Sequence, residues 1–414
     1  MLNIAATCLV ITALLAYLNH RFIRLPTAIG VMAAALALSL ALIGLNALGI
    51  GTVLLQYEQS LLRSIDFSDV LMEGMLSLLL FAGALHIDLS ELKTYRWPVM
   101  GLAVVGTLLS TVIVGVVMWW LLPLMGIQLP LLYCLLFGAL ISPTDPIAVM
   151  GILKSAGAPK ELELVISGES LFNDGVGVVI FSLLLGMLTS GVTPSFGQGL
   201  EALVQEAGGG LIFGFGLGYL TFSLLKSIDS YQVEVLLTLA AVTGGYALAA
   251  QLHISGPLAM VVAGLMIGNH GRALAMSHTT RRYVDMFWEL IDEILNAVLF
   301  VLIGMEVLLI ALSIDVILAA VVAIVVTLLA RLLAVGLPAR LLRNTFDLPH
   351  GSWKVLTWGG LRGGISVALA LSLPVGVARD TVLALTYITV VFSILVQGLS
   401  IGRVVRRTIK APVA

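Results

Sequence analysis

Thirteen apolar segments recur along the chain, and they set what it can fold into. Runs of about 18 residues or more are long enough for a helix to cross a bilayer. The 414 residues are 60% hydrophobic and 11% charged, whereas soluble proteins are about 25% charged. The sequence therefore predicts an all-α polytopic membrane protein with about 13 transmembrane helices. The predicted spans are residues 4–18, 28–45, 70–87, 99–122, 131–153, 162–188, 207–225, 233–252, 254–267, 287–312, 316–337, 355–373 and 382–401.

The basic residues predict how these spans are oriented. One set of alternate connections, together with the C-terminal tail, holds nearly all of the 21 Lys and Arg, while the opposite connections hold Arg63 and Arg379. Cytoplasmic loops carry the excess of basic residues. We therefore expect a multi-pass protein of the cell (inner or plasma) membrane with the N-terminus outside and the C-terminus in the cytoplasm. The formal net charge of −2 gives no reason to expect a nucleic-acid partner.

Two of the predicted spans contain helix-breaking sequences. The fifth reads Ser142-Pro-Thr-Asp-Pro-Ile-Ala-Val149, and because its two prolines lack an N–H, the helix should unwind around Thr144 and Asp145. The twelfth reads Trp358-Gly-Gly-Leu-Arg-Gly-Gly-Ile365. Spans five and twelve differ by seven, an odd offset that places the two breaks in opposite orientations. The spacing therefore predicts inverted repeats with two broken helices that meet near mid-membrane.

Asp145 and Asp174 fall near the middle of apolar runs, where an ionised acid costs about 2.5 to 3.5 kcal/mol or more. Two paired structural acids are the plain alternative, but the surrounding helix breaks and hydrogen-bonding side chains favour a functional site. Ser170 and Asp174 are i,i+4 neighbours and share one helix face. With Asn173 on the same helix and the backbone oxygen of Thr144, they supply oxygens for a dehydrated cation and acids for a proton.

Two further charges near mid-span, Glu169 and Arg331, are predicted to form an ion pair that holds the sixth segment to the eleventh, since each would be costly alone. Arg362, in the glycine-rich break, is expected to position backbone carbonyls or to face the cytoplasmic funnel. Glu73, near the outer end of the third segment, either lines an outer funnel or is solvated.

The start of the tenth segment carries three acids. We expect Glu289 and Asp292 to form a solvated mouth and Glu293, with Asn296, to contact the core of the protein.

Taken together, these motifs resemble the monovalent cation/proton antiporters of the NhaP and eukaryotic sodium/proton exchanger type. The similar blocks follow in family order: Ser142-Pro-Thr-Asp-Pro-Ile-Ala-Val149, Gly168-Glu-Ser-Leu-Phe-Asn-Asp174, Ile254-Ser-Gly-Pro-Leu-Ala-Met-Val-Val-Ala-Gly264, Phe287-Trp288 with Glu293, Ala330-Arg331 and Gly359-Gly-Leu-Arg-Gly363.

The resemblance implies a thirteen-helix homodimeric fold of the NhaA/NhaP type. Residues 1–414 would form a single transporter unit, with an ion-binding core at about 99–188 and 316–401 and a dimerisation scaffold at about 1–87 and 207–312. No soluble regulatory domain is expected. Many relatives carry an acid where Ala82 follows Phe81 here, and whether Glu73 substitutes for it is open.

The resemblance also assigns roles to the site residues. Asp174 takes the place of the ion- and proton-binding acid, and Asn173 that of the residue marking electroneutral members. Asp145, Ser170 and the Thr144 backbone become accessory Na⁺ ligands, and Glu169 and Arg331 the bridging ion pair.

The expected function is electroneutral Na⁺/H⁺ antiport by alternating access, with elevator-like movement of the core domain. The protein would be a secondary active transporter and not an enzyme, with no cofactor beyond the transported Na⁺ and H⁺. K⁺/H⁺ or Li⁺-accepting exchange stays open. A cation channel could use the same acids as a filter, but broken mid-span helices with a titratable ligand suit a closed, alternating site better. An intramembrane aspartyl hydrolase is disfavoured because it has no use for the oxygens of Asn173, Ser170 and Thr144 or for the buried ion pair.

Overall fold

A computed structural model of the chain describes residues 2–48, 74–191, 196–308, 310, 313–343, 345 and 348–409. All regular elements within these residues are helices, which confirms the predicted all-α class. Eight helices in this described part are long and apolar enough to cross a membrane. Each of the thirteen predicted spans has a helical counterpart there, although the third begins outside the described residues.

The helices that build the site and its surroundings are numbered in chain order. They are α1 Leu2–Leu18, α2 Thr27–Ala47, α3 Leu76–Leu85, α4 Thr107–Leu121, α5 Leu131–Ile141, α6 Ile147–Ser155, α7 Lys160–Ser190, α8 Gly209–Lys226, α9 Tyr231–Gln251, α10 Gly256–Met266, α11 His278–Glu306, α12 Ile314–Arg331, α13 Ser352–Trp358, α14 Gly364–Leu371, α15 Val377–Phe392 and α16 Leu399–Thr408.

Both predicted helix breaks are present. The fifth span is divided into α5 and α6 by residues 142–146, and the twelfth into α13 and α14 by residues 359–363. The reasons are local: Pro143 and Pro146 cannot donate to the preceding turn, and glycine is among the weakest helix formers. Two spans therefore end and restart inside the protein, leaving unwound backbone at the same depth.

Close helix packing fixes the first break in place. α4 lies so near α5 that a Cβ at Gly138 would come within 3.1 Å of the Thr111 carbonyl carbon. Small residues permit such close approach between membrane helices. The Ser142 hydroxyl, at the end of α5, donates to the Gly138 carbonyl at 2.6 Å and accepts from the Thr111 hydroxyl at 3.4 Å.

The helices pack in two sets. In one, α4 packs against α5 and α12, α5 against α7, and α12 against α15. In the other, α2 packs against α11, and α10 against α3 and α8. The sets meet where α7 contacts α10 and where α11 approaches α14. Both breaks belong to the first set and face this boundary.

Candidate functional site

The two breaks cross and are hydrogen-bonded to each other. The Asp145 amide donates to the Leu361 carbonyl at 2.8 Å. From the other side, the Arg362 guanidinium donates to the Pro143 carbonyl at 2.9 Å and to the Ser142 carbonyl. Helix interruption leaves such backbone groups without a helical partner, and a buried polar group needs one. Each break therefore supplies partners for the other, and Arg362 takes the first of the two roles considered for it.

Two further side chains, which sequence reasoning missed, hydrogen-bond to the backbone of the second break. The Ser393 hydroxyl accepts from the Arg362 amide, and Gln397 donates to the Trp358 carbonyl, both at 2.9 Å. Ser393 and Gln397 lie in a segment with π-helical hydrogen bonding, residues 393–398, that follows α15. Their i,i+4 spacing puts them on one helix face. Two polar residues at that spacing in an apolar run were the signal that could have revealed them.

On α7, Asn173 completes the unwound backbone of the first break. Its side-chain oxygen accepts from the Thr144 amide at 3.1 Å, and its side-chain nitrogen donates to the Thr144 hydroxyl at 2.9 Å. The Thr144 hydroxyl also lies 2.9 Å from that of Ser170. Thr144, Ser170 and Asn173 are all buried. The three predicted site residues thus form one hydrogen-bonded group at the point where α7 passes the break.

The same group leads to a buried ion pair. Glu169 accepts two hydrogen bonds from Arg331, at 2.5 and 2.8 Å, and one from Asn173 at 3.2 Å. Arg331 also donates to the Leu356 carbonyl at 3.3 Å. Glu169 is 0% exposed and Arg331 5%. The pair joins α7 to the end of α12 and to α13.

Asp145 and Asp174 open into a common cavity of about 850 Å³. Asp174 is 7% exposed, and Asp145 is half-buried. The cavity lies on the boundary between the two helix sets and extends past Asp292 to Lys154 and Lys160. The Lys160 side chain, 69% exposed and bonded to Glu91, marks the mouth. Lys154 lies in the last turn of α6 and Lys160 begins α7, so the two lysines flank the short connection between these helices.

The wall from α11 differs from the expectation for its acids. Asn296 is buried and donates to the Asp292 carboxylate at 3.1 Å and carbonyl at 2.8 Å, whereas Glu293 is exposed. The i,i+4 spacing places Asn296 above Asp292, and Glu293 points to another side of the helix. Asp292 is thus the half-buried acid of this wall, while Glu289 and Glu293 also line the cavity. Glu73 lies outside the described residues.

This arrangement can bind a small cation or a proton. Carboxylate and hydroxyl oxygens are hard ligands, suited to cations that are not polarisable. Interrupted helices around such groups, with a cavity reaching one surface, are a known plan of membrane transport proteins. The fold and site therefore place the chain in the class of transporters built on discontinuous helices.

Comparison with known proteins narrows the class. Residues 10–407 match the family described as "Sodium/hydrogen exchanger, transmembrane", and the chain belongs to this family. It is 57% identical over 413 residues to the Na(+)/H(+) antiporter NhaP of Pseudomonas aeruginosa, covering 98% of this chain and 97% of that one. It is 35% identical over 358 residues to the Na(+)/H(+) antiporter NhaH of Halobacillus dabanensis, covering 84% and 86%.

A solved structure agrees with the fold. The sodium proton antiporter MjNhaP1 from Methanocaldococcus jannaschii at pH 8 superimposes with a TM-score of 0.68 at 22% identity, covering 92% of this chain and 98% of the other. The resemblance seen in the sequence motifs is confirmed.

Proposed function

We propose that this protein exchanges one Na⁺ for one H⁺ across the membrane by alternating access. The observation that carries the proposal is the common cavity of Asp145 and Asp174. Asp145 lies in the break between α5 and α6, and Asp174 lies on α7, which passes this break. A proton and a metal ion can compete for such a carboxylate. The relatives named as Na(+)/H(+) antiporters support Na⁺ as the cation.

Asp174 is proposed to carry either the proton or, with Asp145, Ser170 and the Thr144 carbonyl, one dehydrated Na⁺. Because both ligands need the same carboxylate, the empty charged site crosses poorly and exchange becomes obligatory. Asn173 carries no charge and is held by Thr144 and Glu169, so it adds no second proton. One positive charge moves in each direction, and transport is electroneutral.

Alternating access is proposed to come from movement of the first helix set against the second. In this proposal the first set belongs to the core, about residues 99–188 and 316–401, and the second to the dimerisation scaffold, about residues 1–87 and 207–312. The cavity lies between them, with Asp145 and Asp174 on one wall and Asp292 and Asn296 on the other. If Lys154 and Lys160 face the cytoplasm, the structure is an inward-open state. We further propose a homodimer in the plasma membrane with the C-terminus inside.

The test is transport by purified protein in liposomes with a pH-sensitive dye inside. Na⁺ added outside should alkalinise the lumen, because Na⁺ enters as H⁺ leaves, and Na⁺ loaded inside should acidify it. Asp174→Asn should abolish both signals. Asp315→Asn is the matched control, because Asp315 is an exposed acid in the first turn of α12, far along the chain from the site. Near-normal exchange by Asp174→Asn would refute the assignment.

The same liposomes decide the ion and the stoichiometry. A panel of Na⁺, Li⁺ and K⁺ should give the strongest response to Na⁺, and a response to K⁺ alone would replace Na⁺/H⁺ by K⁺/H⁺ exchange. An imposed membrane potential should leave the rate unchanged if exchange is one for one. Single-channel currents would instead indicate a channel, and cleavage of a peptide substrate a hydrolase.

A further inference from the structure

A second cavity lies at the end of α1 and shares no lining residue with the cavity at the crossing. It measures about 650 Å³ and is lined by the connection between α1 and α2, including His20, Arg21 and Arg24. None of the described residues that line it is acidic. Among the described residues, neither Arg21 nor Arg24 forms a salt bridge. The cavity is therefore positively charged and its charges are not neutralised by those residues.

The loop that forms this cavity is held in one shape. Asn19, 4% exposed, donates to the Leu25 carbonyl at 2.9 Å and accepts from the Leu25 amide at 3.2 Å. Its carbonyl accepts from the Arg24 amide at 2.6 Å. On its other side Asn19 is packed against Gly30, where a Cβ would overlap its side chain. The turn is thus closed by a buried side chain and does not depend on a ligand.

Arg24 sits at the strained point of this turn. Its φ is 59°, in the left-handed region, which residues with a Cβ adopt at an energetic cost. Glycine or asparagine would fit this position better. Strained positions are kept where the surrounding structure enforces them, and they cluster at ligand-binding sites. The strain is consistent with a function for the Arg24 side chain where it lines the cavity.

Exposed apolar side chains directly precede and follow the lining residues in the sequence. Tyr17, Leu18, Phe22 and Ile23 are exposed by 62, 42, 70 and 45%, and the Arg21 guanidinium lies 5.9 Å from the centre of the Phe22 ring. Since α1 is a spanning helix, these side chains lie at the level where acyl chains meet headgroups. A ligand here would be anionic at one end and apolar at the other.

We propose that this cavity binds the phosphodiester headgroup of an anionic phospholipid, with Arg21 and Arg24 on the phosphate and the acyl chains along Phe22 and Leu18. The shared chemistry is an oxyanion of phosphorus. The exposed apolar side chains next to Arg21 and Arg24 favour a lipid over soluble phosphate. Basic pockets beside membrane helices bind anionic headgroups, and a cavity of this volume is in the ordinary range for small ligands. The proposal does not depend on the transport mechanism.

The experiment measures lipid bound to delipidated protein by native mass spectrometry, in titrations with phosphatidylglycerol, phosphatidylcholine or inorganic phosphate. We expect phosphatidylglycerol to bind the wild type, and Arg21→Gln/Arg24→Gln to bind it about 30-fold more weakly, since each basic residue near the surface contributes a factor of about five. Arg21→Lys/Arg24→Lys keeps both charges and should keep most of the affinity. It also serves if the glutamine pair folds poorly.

Arg96→Gln is the matched control. Arg96 is another exposed arginine stacked on an exposed aromatic ring, that of Trp97 at 5.5 Å, but it does not line this cavity. Its removal should leave lipid binding unchanged. Equal binding of phosphatidylglycerol to the wild type and to the glutamine pair would overturn the proposal, as would equal binding of phosphatidylcholine. Full displacement of phosphatidylglycerol by inorganic phosphate, at the same molar excess over protein, would assign the site to a soluble anion and overturn the proposal of a lipid site.

Discussion

Replacing Arg331 by methionine should destabilise the protein far more than loss of a surface ion pair. The change removes both hydrogen bonds to the Glu169 carboxylate and the one to the Leu356 carbonyl. Glu169 then retains the 3.2 Å bond from Asn173, while its side chain stays inaccessible to water. The buried Glu169 carboxylate is then left without its counter-ion.

The burial of the pair sets the size of the effect. Exposed ion pairs contribute about 0 to 1 kcal/mol, but breaking a buried pair from one side costs about 3 to 5 kcal/mol. With Glu169 0% and Arg331 5% exposed, the second figure applies. Removing both charges, as in Glu169→Met/Arg331→Met, leaves no unpaired charge, and such replacements are often neutral or stabilising. The double variant should therefore be more stable than Arg331→Met alone.

The assay is unfolding in detergent, followed by the fluorescence of the protein's 6 tryptophans. Wild type, both single variants and the double variant form a cycle whose coupling energy isolates the pair. A double variant that loses the sum of the two single losses would refute the account, because the charges would then act independently. So would an Arg331→Met protein as stable as the wild type.

Two other predictions concern the crossing and a loop outside the membrane. Gly363→Ala should lower transport about 100-fold, a loss that a displacement of about 1 Å can cause, because its Cβ would lie 2.6 Å from the Cβ of Asp145. Gly151→Ala, with nothing within 4 Å, should transport normally, and full activity of Gly363→Ala would contradict the packing described. Asp88 caps the short helix Leu89–Leu92, and hydrogen bonds from the Ser90 hydroxyl and amide hold its pKa below the ordinary carboxyl value. Asp88→Ala should therefore speed amide hydrogen exchange in this helix at neutral pH, after correction for intrinsic rates. Because the pKa of Asp88 is lowered in the folded protein, its charged form stabilises the helix fully at pH values above the ordinary carboxyl pKa. The difference in exchange rate between wild type and Asp88→Ala should therefore vanish as the pH falls through the lowered pKa. Asp88→Asn keeps an acceptor and should not show this pH dependence, and a difference between wild type and Asp88→Ala that persists below the lowered pKa would contradict the capping role.

The sequence predicted the positions of the breaks well because their causes are local. Pro143 and Pro146 remove backbone donors, and four glycines weaken the twelfth span, whatever packs around them. The extent of the helices was predicted less well. α11 begins at His278 and not near residue 287, since apolarity marks the part of a helix inside the bilayer, whereas its hydrogen bonds continue into the polar turns beyond.

What holds the site together depends on tertiary contacts and was harder to predict. Ser393 and Gln397 contact the second break, over thirty residues away along the chain. Which acid of α11 contacts Asn296 depends on how the helix is rotated about its axis. Asp292 and Glu293 are adjacent in the sequence and point to different sides of the helix, so the apolar pattern did not decide between them. The ion-binding roles of Asp145, Asp174, Ser170 and Thr144 stay predictions for the transport assays.

The hydrogen bond from the Asp145 amide to the Leu361 carbonyl joins the break in the N-terminal half of the chain to the break in the C-terminal half through main-chain atoms. Such a link is indifferent to which side chain occupies position 361, yet it cannot tolerate proline at 145 or a change in the length of either loop. Natural variation in ion preference should therefore accumulate in the oxygens around this junction, while the spacing of the junction itself stays fixed.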